Sequence, residues 1–589
     1  MKVWAWRLVP PLVGLAIIAT AAAMYPRMSN PIEPRVPGRD RPAGAVANTV
    51  DWSSCKPVTF AGQAGGPSGS WPSFRGPQRD GISHEDTPLV RDWPKDGPTR
   101  LWEIPTGEGH AGPAVIDGRI YLLDYDPPDT WLIKPQELSS VVEAGRRLAD
   151  ASSPAASHIL GMMPDDARSW IAAQGRPDQG QPAGQLADTL NDLVLNKDLY
   201  DKAAFAVLMD AKSANSLGGE AKRLIRSQSR SRYDQLRLNR LLLEAVLGDA
   251  LARSRHGDVL RCISLKTGQD IWRLSWPIRT RQNHGMSRTV PAVTKDYVVA
   301  MAPRCQVVCA DARTGELRWA KDLVAEYQAH EPDWYAGQCP LIEGDLAIIA
   351  PGGKALMIAV ELSSGKVRWE TPNPRNWQMT HSSVATMQVD GQKMYVYCGS
   401  DGVAGVDAST GKLLWDTTAW RVNIANVPTP VPVGDGRVFL SAGYDTGCMM
   451  LKVFREGDTW NAQPLWRLKA EQFGAAQHTP VLHNGHIYGV RPDGQMTCLD
   501  LDGNIVWTSG PANRFGMGYG SWIVADDMLL IMNDTATLTA AGADSRGYRR
   551  LAGARLFKDA RDSWAPLAMV NGLLLVRDYS RMVCLDLQE

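Results

Sequence analysis

Histidines recur at one kind of position along this chain of 589 residues. His110, His284, His381 and His478 each stand at or just before a short apolar segment that reads as a β-strand. An imidazole changes charge near neutral pH and can serve as a general base or a metal ligand. No two of these histidines share the local spacing of a metal-binding motif. The pattern therefore predicts no metal site and favours the binding of some other ligand.

Charged residues occupy a second kind of loop, which follows the next strand of each repeated unit. The candidate ligand-binding residues of this kind are Arg304, Asp401, Arg491, Asp493, Arg577 and Asp578. An aspartate among them could act as a general base toward a bound substrate. Nothing in the spacing ranks them, so the catalytic residues stay unassigned. The alternative is that loops are polar in any protein, and that a histidine before a strand hydrogen-bonds a neighbouring unit.

A repeated phrase must position these loops. Residues 307–319 read as an apolar strand, a Thr-Gly turn and a second strand that ends on a tryptophan. The tryptophans at this position are Trp272, Trp319, Trp369, Trp415, Trp466 and Trp507, and successive ones lie 41 to 51 residues apart. This period matches the roughly 40–50 residues of a four-stranded propeller blade.

Eight such units follow one another. Their predicted first strands begin near Ala114, Thr289, Gln338, Ser382, Val427, His478, Tyr519 and Trp564. The last unit ends one strand short, and the strand around Trp102 has the pattern to supply the missing one. The sequence predicts an all-β fold, an eight-bladed β-propeller of four-stranded antiparallel blades over residues 71–589, closed by that N-terminal strand. Both kinds of loop would then lie on one face, which we call the loop face, opposite the Thr-Gly turns. There they would converge on a concave mouth that suits a ligand.

Three segments depart from the repeat. Residues 130–257 show helical periodicity and are predicted to form an α-helical insertion within the first blade, beside the loop face. Residues 1–28 combine a basic start with an apolar run, which predicts a signal peptide or an uncleaved membrane anchor. Residues 29–70, rich in Pro, Gly, Ala and Ser, read as a flexible linker. We therefore expect an exported protein that is periplasmic, or membrane-anchored and facing the extracytoplasmic side.

Composition excludes some functions. The chain has 63 basic and 63 acidic residues, so its formal net charge is zero and electrostatic capture of nucleic acid is not expected. Its nine cysteines form no CxxC motif, which argues against a zinc ribbon and against a covalently attached haem. Cysteines at one phase of the repeat are predicted to be small buried residues.

The phrase that ends on Trp415, read as Asp-x-x-Thr-Gly-Lys-x-x-Trp, resembles the repeats of the pyrroloquinoline quinone (PQQ) propeller superfamily. The resemblance runs from about Trp71 to the C-terminus, apart from the insertion, and residues 71–81 are similar to the opening of exported bacterial PQQ-like repeat proteins. The superfamily includes quinoprotein alcohol dehydrogenases and outer-membrane assembly scaffolds of the BamB type. Its dehydrogenases typically carry adjacent cysteines in a disulfide ring over the quinone, and they hold Ca²⁺ with carboxylate and amide oxygens. This sequence has no Cys-Cys pair.

Two functions follow from the resemblance. The first is an exported PQQ-like propeller that acts as a ligand-binding or protein-assembly scaffold through the loop face. Its partner would be an unidentified protein or small molecule, with membrane contact through the N-terminal segment if that segment is uncleaved. The alternative is a PQQ-dependent alcohol or sugar dehydrogenase, which would use PQQ with Ca²⁺. No cofactor is assigned on the first interpretation.

Overall fold

The computed structural model describes residues 50–125, 257–278 and 286–589 apart from 558, 559 and 561, together with parts of 145–247. The predicted export segment, most of the predicted linker and His284 lie outside the described residues. Residues 46–589 form one unit by their contacts. In the part of the chain that is described, no helix is both long and apolar enough to cross a membrane.

Eight antiparallel sheets form the blades, and the first strands of neighbouring blades contact one another around the centre of the ring. Three strands come before blade 1 in the chain: β1 (Pro57–Thr59), β2 (Ser70–Trp71) and β3 (Thr99–Pro105). Blade 1 contains β4 (Ala114–Ile116), β5 (Arg119–Tyr125), β6 (Asp258–Ser264) and β7 (Asp270–Trp276). Blade 2 contains β8 (Ala292–Val293), β9 (Tyr297–Met301), β10 (Gln306–Asp311) and β11 (Leu317–Asp322). Blade 3 contains β12 (Leu341–Glu343), β13 (Leu346–Ile349), β14 (Ala355–Glu361) and β15 (Val367–Pro372), and blade 4 contains β16 (Ala385–Val389), β17 (Gln392–Gly399), β18 (Gly402–Asp407) and β19 (Leu413–Thr417).

The second half of the ring repeats this arrangement. Blade 5 contains β20 (Val431–Gly434), β21 (Arg437–Ala442), β22 (Gly447–Glu456) and β23 (Thr459–Leu468). Blade 6 contains β24 (Val481–His483), β25 (His486–Val490), β26 (Met496–Leu499) and β27 (Ile505–Thr508). Blade 7 contains β28 (Trp522–Ala525), β29 (Met528–Met532), β30 (Thr537–Gly542) and β31 (Arg550–Arg555), and blade 8 contains β32 (Ala568–Val570), β33 (Leu573–Arg577), β34 (Arg581–Asp586) and β3. The predicted eight-bladed propeller is confirmed.

The ring closes through β3, as the sequence predicted. Trp102 on β3 lies opposite Cys584 on β34, so the N-terminal strand becomes the outermost strand of blade 8. The indole Nε1 of Trp102 also donates a hydrogen bond to the carbonyl oxygen of Leu265 in blade 1 (2.9 Å). One strand therefore joins the last blade to the first, and the sheet of blade 8 is completed.

The repeated Trp and turn Gly residues link most blades to the next one. Trp272 in blade 1 donates a hydrogen bond to the carbonyl oxygen of Ala312 in blade 2 (3.2 Å), and its ring packs on Gly315 in the turn of blade 2. A Cβ at Gly315 would meet that ring at 2.5 Å, and the glycine has φ +76°. Only glycine combines this backbone conformation with so close an approach. The phrase is thus a blade-to-blade contact, and it recurs at Gly268, Gly365, Gly411 and Gly503, each of which approaches the tryptophan of the preceding blade.

The segment of residues 72–83, which we call the plug, enters the central channel from the face of the Thr-Gly turns. It follows β2, which pairs with the inner strand β4, and it ends beside β28, where Ile82 pairs with Val524. Arg75 is buried and donates hydrogen bonds to the carbonyl oxygens of Thr479 (3.0 Å) and Pro480 (3.1 Å) in blade 6. The plug therefore blocks the channel from that face, and the loop face keeps the mouth.

The described part of the predicted linker is ordered against blade 1. Residues Trp52–Ser54 form a 3₁₀ turn, Cys55 is buried, and β1 pairs with β7 as a fifth strand on the outer edge. The expectation of a flexible tether therefore does not extend to residues 50–70. All nine cysteines are free and buried.

The insertion leaves blade 1 after Tyr125 and returns at Asp258, and these two residues are cross-strand partners. Its described helices are α1 (Pro154–Gly161), α2 (Asp165–Ala172), α3 (Gly219–Arg226) and α4 (Arg232–Leu247). Leucines and isoleucines of these helices form a hydrophobic cluster of their own, separate from the clusters between the blades. A fifth helix, α5 (Leu323–Tyr327), follows blade 2.

Candidate functional site

A cavity of about 260 Å³ lies at the mouth of the channel on the loop face. Residues from the loops before the first strands of all eight blades line it, and Phe74 of the plug contributes from below. The described lining residues are Phe74, His110, Arg288, Trp334, Gly337, Cys339, His381, Ser383, Ala425, Val427, Tyr444, Gln477, His478, Tyr519, Trp564 and Pro566. The cavity is thus a pocket closed at its base by the plug.

Three of the four predicted histidines line this cavity: His110, His381 and His478. His110 stacks on Trp564 with ring centroids 4.7 Å apart. The ring of His478 meets Trp522 edge to face at 6.0 Å. The structure therefore brings together histidines separated by up to 368 residues in sequence, as the propeller geometry predicted.

Two of these histidines are uncharged at neutral pH. Burial, reinforced by the positive charge of Arg288, lowers the pKa of His381 to about 4. Burial also lowers the pKa of His478 to about 4, although hydrogen bonds to the backbone of Trp564 and Tyr519 oppose the shift. Both rings are therefore neutral hydrogen-bonding groups in the cavity.

Arg288 is the one arginine or lysine among the described lining residues. Its Nε donates a hydrogen bond to the carbonyl oxygen of Trp334 (2.7 Å). Burial lowers its pKa to about 10, which still leaves the guanidinium charged at pH 7. No carboxylate occurs among the described lining residues. The cavity therefore has a positive character.

Two aromatic lining residues have strained backbones. Trp334 has φ +64° and Tyr444 has φ +56°, and the residue after each of them is also left-handed. Bulky residues rarely adopt this conformation, which costs on the order of 1–3 kcal/mol and clusters at functional sites. The strain at two positions around one cavity supports a functional role for it.

The predicted charged residues lie outside this lining and have partners close by. Arg577 on β33 is buried, contacts Asp124 at 3.4 Å and donates a hydrogen bond to the carbonyl oxygen of Gly107 (2.8 Å). Its neighbour Asp578 accepts from Arg581 Nε (2.9 Å). Both lie at the closure between blades 8 and 1, where Arg577 bonds across the two blades.

The other four charged candidates form ion pairs. Arg304 pairs with Glu331 (2.9 Å), and Asp401 pairs with Arg421. Arg491 pairs with Asp493 (2.8 Å), and its hydrogen bonds lower the pKa of that carboxyl to about 2. The structure therefore separates the predicted residues into a histidine set around the cavity and a charged set outside it.

Sequence reasoning did not single out Arg288, Trp334, Trp564 or Phe74. A positional signal existed for two of them. His110 and His381 stand four residues before their first strands, and so do Arg288 and Trp564. The residue four positions before a first strand therefore faces the cavity in these four blades.

The described cavity does not fit the calcium-bound quinone of quinoprotein dehydrogenases. Ca²⁺ takes carboxylate, amide and carbonyl oxygens, and no described lining residue carries a carboxylate. Gln477 is the one amide side chain of the lining, and its Nε2 is hydrogen-bonded to Tyr444 Oη (3.1 Å). Cys339 is free, so no disulfide ring covers the site. Elsewhere in the described chain, no cluster of three acidic, histidine or cysteine side chains could hold a metal.

Residues 255–509 match the protein family described as outer membrane protein assembly factor BamB. The BamB of Moranella endobia (strain PCIT) is 22% identical over 257 residues, which is 41% of this chain and 62% of that relative. The chain thus spans less than two thirds of the relative it matches.

The fold is also similar to that of solved structures. BamB from Moraxella catarrhalis has 13% identity and a TM-score of 0.38 over 56% of this chain and 91% of that one. The quinohemoprotein alcohol dehydrogenase from Comamonas testosteroni has 12% identity and a TM-score of 0.37 over 88% of this chain and 80% of that one.

The fold and the cavity define the class of protein: an eight-bladed β-propeller with a blind cavity on its loop face. Its blades are joined by the Trp and Thr-Gly contacts described above, and its repeats match the BamB family over five blades. Its blades have the architecture of PQQ-like β-propellers, and residues 255–509 carry the sequence match to that group.

Proposed function

We propose that the protein is an exported scaffold that binds a protein partner through its loop face and a small-molecule ligand in the central cavity. The match of its repeats to an assembly factor supports the scaffold role. The cavity, to which all eight blades contribute, supports the ligand.

The observation that carries the partner surface is the pair of exposed apolar side chains on the loop face. Ile424 precedes the first strand of blade 5 and is 56% exposed, and Met517 precedes that of blade 7 and is 64% exposed. The exposed ion pair of Arg421 and Asp401 lies in the same region of blades 4 and 5. Exposed apolar side chains on a face that also carries exposed charges are a feature of protein-binding surfaces.

Site-specific photo-crosslinking at position 424 in cells tests the surface. We expect one protein to be captured, and Ile424→Asp combined with Met517→Asp to reduce its binding to the purified propeller by about tenfold or more. Leu465→Asp is the matched control, because Leu465 is 48% exposed but lies on the outer edge of blade 5. Equal binding by both variants would contradict the proposed surface.

Export rests on the predicted segment of residues 1–28. We expect the full chain to fractionate outside the cytoplasm and a variant that begins at residue 29 to remain inside. Membrane extraction of the full chain distinguishes an uncleaved anchor from a cleaved signal peptide. An unchanged distribution of the shortened variant would contradict export by this segment.

The alternative, a PQQ-dependent alcohol or sugar dehydrogenase, requires groups that the described cavity does not supply. We expect purified protein mixed with PQQ and Ca²⁺ to show no stoichiometric binding and no dye-linked alcohol oxidation. Observation of both would replace the scaffold by the dehydrogenase.

A further inference from the structure

We infer that the central cavity binds a compact aromatic monocarboxylate, with the carboxylate at Arg288 and the ring among the aromatic walls. The inference rests on the proposed ligand-binding role of this cavity and adds the chemical class of the ligand. It goes beyond the partner surface, because it depends on residues inside the mouth.

The charge of the cavity favours one carboxylate. Arg288 supplies a guanidinium, which matches a carboxylate in a planar, two-bond geometry. His381 and His478 are neutral at pH 7, so they add hydrogen-bonding groups but no further charge. The described lining contains no acidic side chain that would repel an anion. A ligand with several carboxylates would leave all but one of them without a cation in a partly buried site.

The walls favour an aromatic ring. Trp564 presents one ring edge-on to Tyr519, with centroids 5.2 Å apart and planes at 80°. Trp334 and Tyr444 add two more rings, each held on a strained left-handed backbone. Aromatic side chains pack against planar ligands by stacking and by edge-to-face contact. Strain at these two residues is explained if their rings must point into the cavity.

The floor favours a compact molecule. Phe74 of the plug lines the cavity, and Arg75 beside it is anchored to the carbonyl oxygens of blade 6. The channel therefore does not continue below the cavity, and a volume of about 260 Å³ lies near the lower end of small-molecule sites.

Isothermal titration of the unaltered protein decides the chemical class. The probes are benzoate, 1-naphthoate, benzamide and benzene-1,3,5-tricarboxylate. We expect 1-naphthoate and benzoate to bind at least about tenfold more tightly than neutral benzamide, since a charge-assisted hydrogen bond is stronger than a neutral one. We expect the tricarboxylate to bind more weakly than benzoate. Equal binding of benzoate and benzamide, no binding of either carboxylate at millimolar concentration, or tighter binding of the tricarboxylate would each overturn the inference.

Two variants locate the binding. Arg288→Gln should reduce benzoate affinity about tenfold and leave benzamide affinity unchanged, whereas Arg421→Gln, outside the cavity, should change neither. Trp334→Gly keeps the carbonyl oxygen that accepts from Arg288 and removes the strain. It should weaken 1-naphthoate binding without lowering the melting temperature. Unchanged carboxylate binding in both cavity variants would overturn the inference. If Arg288→Gln does not fold, the inference is decided by the probe series and by Trp334→Gly. A protein that still captures its partner but shows no carboxylate preference contradicts this inference alone.

Discussion

At the scale of single residues, the polar groups of this propeller serve two purposes. His110, His381 and His478 face the cavity, where they are held in ring contacts or neutral by burial. Arg577 and Asp124 instead form a buried ion pair that joins the last blade to the first. Residue type does not distinguish the two purposes, because both draw on charged or titratable side chains, and Arg577 and Asp124 lie at the ends of strands β33 and β5 rather than facing the cavity.

Asp258 predicts a pH dependence of stability. Its carboxyl group is fully buried, and burial raises its pKa to about 8, opposed by the indole N–H of Trp276 and the positive charge of Arg304. Since this lies above the ordinary value of 3.8, the folded state retains a proton that the unfolded state loses. The contribution is therefore fully present below pH 4 and is lost as pH rises toward and through 8.

We expect Asp258→Asn to flatten this dependence and to stabilise the fold at pH 8.5 by about 1 kcal/mol or more. Urea denaturation at pH 5 and pH 8.5 measures the change. Asp458→Asn is the control, because that side chain is fully exposed. An unchanged slope in the Asp258 variant would show that its carboxyl is solvated in the folded state.

We predict that Arg577 contributes to the free energy of unfolding through the contact between blades 8 and 1. Arg577→Met would leave the buried Asp124 with one fewer cation and the carbonyl oxygens of Gly107 and Ala111 without a donor. We expect a loss of about 3 kcal/mol in the free energy of unfolding. Arg546→Met removes an exposed pair with Asp544 and should cost less than about 1 kcal/mol. Chemical denaturation compares the two, and equal losses would contradict the assigned role of Arg577.

At the scale of elements, the turn between the third and fourth strands of a blade connects that blade to the preceding one. Gly315, Gly365 and Gly411 each meet the tryptophan of the preceding blade, so the turn and the Trp are two halves of one contact. This explains why the phrase recurs with the period of a blade. Blade 7 has Ala552 where the other blades have Trp, and its sheet still forms, because neighbouring packing supports it.

A substitution at Gly315 tests how much the contact between the turn and the tryptophan contributes to stability. In Gly315→Ala the new Cβ would meet the Trp272 ring at 2.5 Å while the backbone keeps φ +76°. We expect a loss of about 3 kcal/mol from overpacking together with backbone strain. Gly344→Ala has the same kind of backbone, with φ +59°, but no atom lies within 4 Å of its Cβ. It should cost only about 1 kcal/mol. Thermal unfolding measures the difference, and similar losses would mean that the Trp ring moves aside freely.

At the scale of the whole molecule, one chain forms a ring whose base is blocked by its own N-terminal region. β3 completes blade 8, and the plug crosses the channel to blades 6 and 7. The insertion stands apart from this ring in its packing, since its described helices have their own hydrophobic cluster.

The insertion should therefore be removable. Tyr125 and Asp258 are cross-strand partners, so a loop of about four residues can replace residues 126–257 as in an ordinary hairpin. We expect the shortened propeller to fold with a single cooperative transition and to retain benzoate binding, as measured by thermal unfolding and titration. Aggregation of the shortened chain, or loss of its near-ultraviolet circular dichroism, would show that the blades depend on the insertion.

The propeller, its eight blades and its closing strand follow from the sequence, because strand alternation, turn residues and a recurrent Trp are local patterns that repeat. The predicted first strands begin within about four residues of the observed ones, as with Thr289 against Ala292. The faces of the loops follow as well, since an antiparallel blade alternates its connections between two ends. The histidines at the cavity were found by this route.

Only the tertiary structure decided which charged residues bind one another and what blocks the channel. The hydrogen bond from Arg75 to Thr479 joins residues 404 positions apart, and no local pattern marks it. Likewise, Arg577 faces Asp124 across the closure, while Arg288 faces the cavity. Such choices depend on the packing of neighbouring blades, because the environment of a loop side chain comes from the facing blade more than from its own sequence.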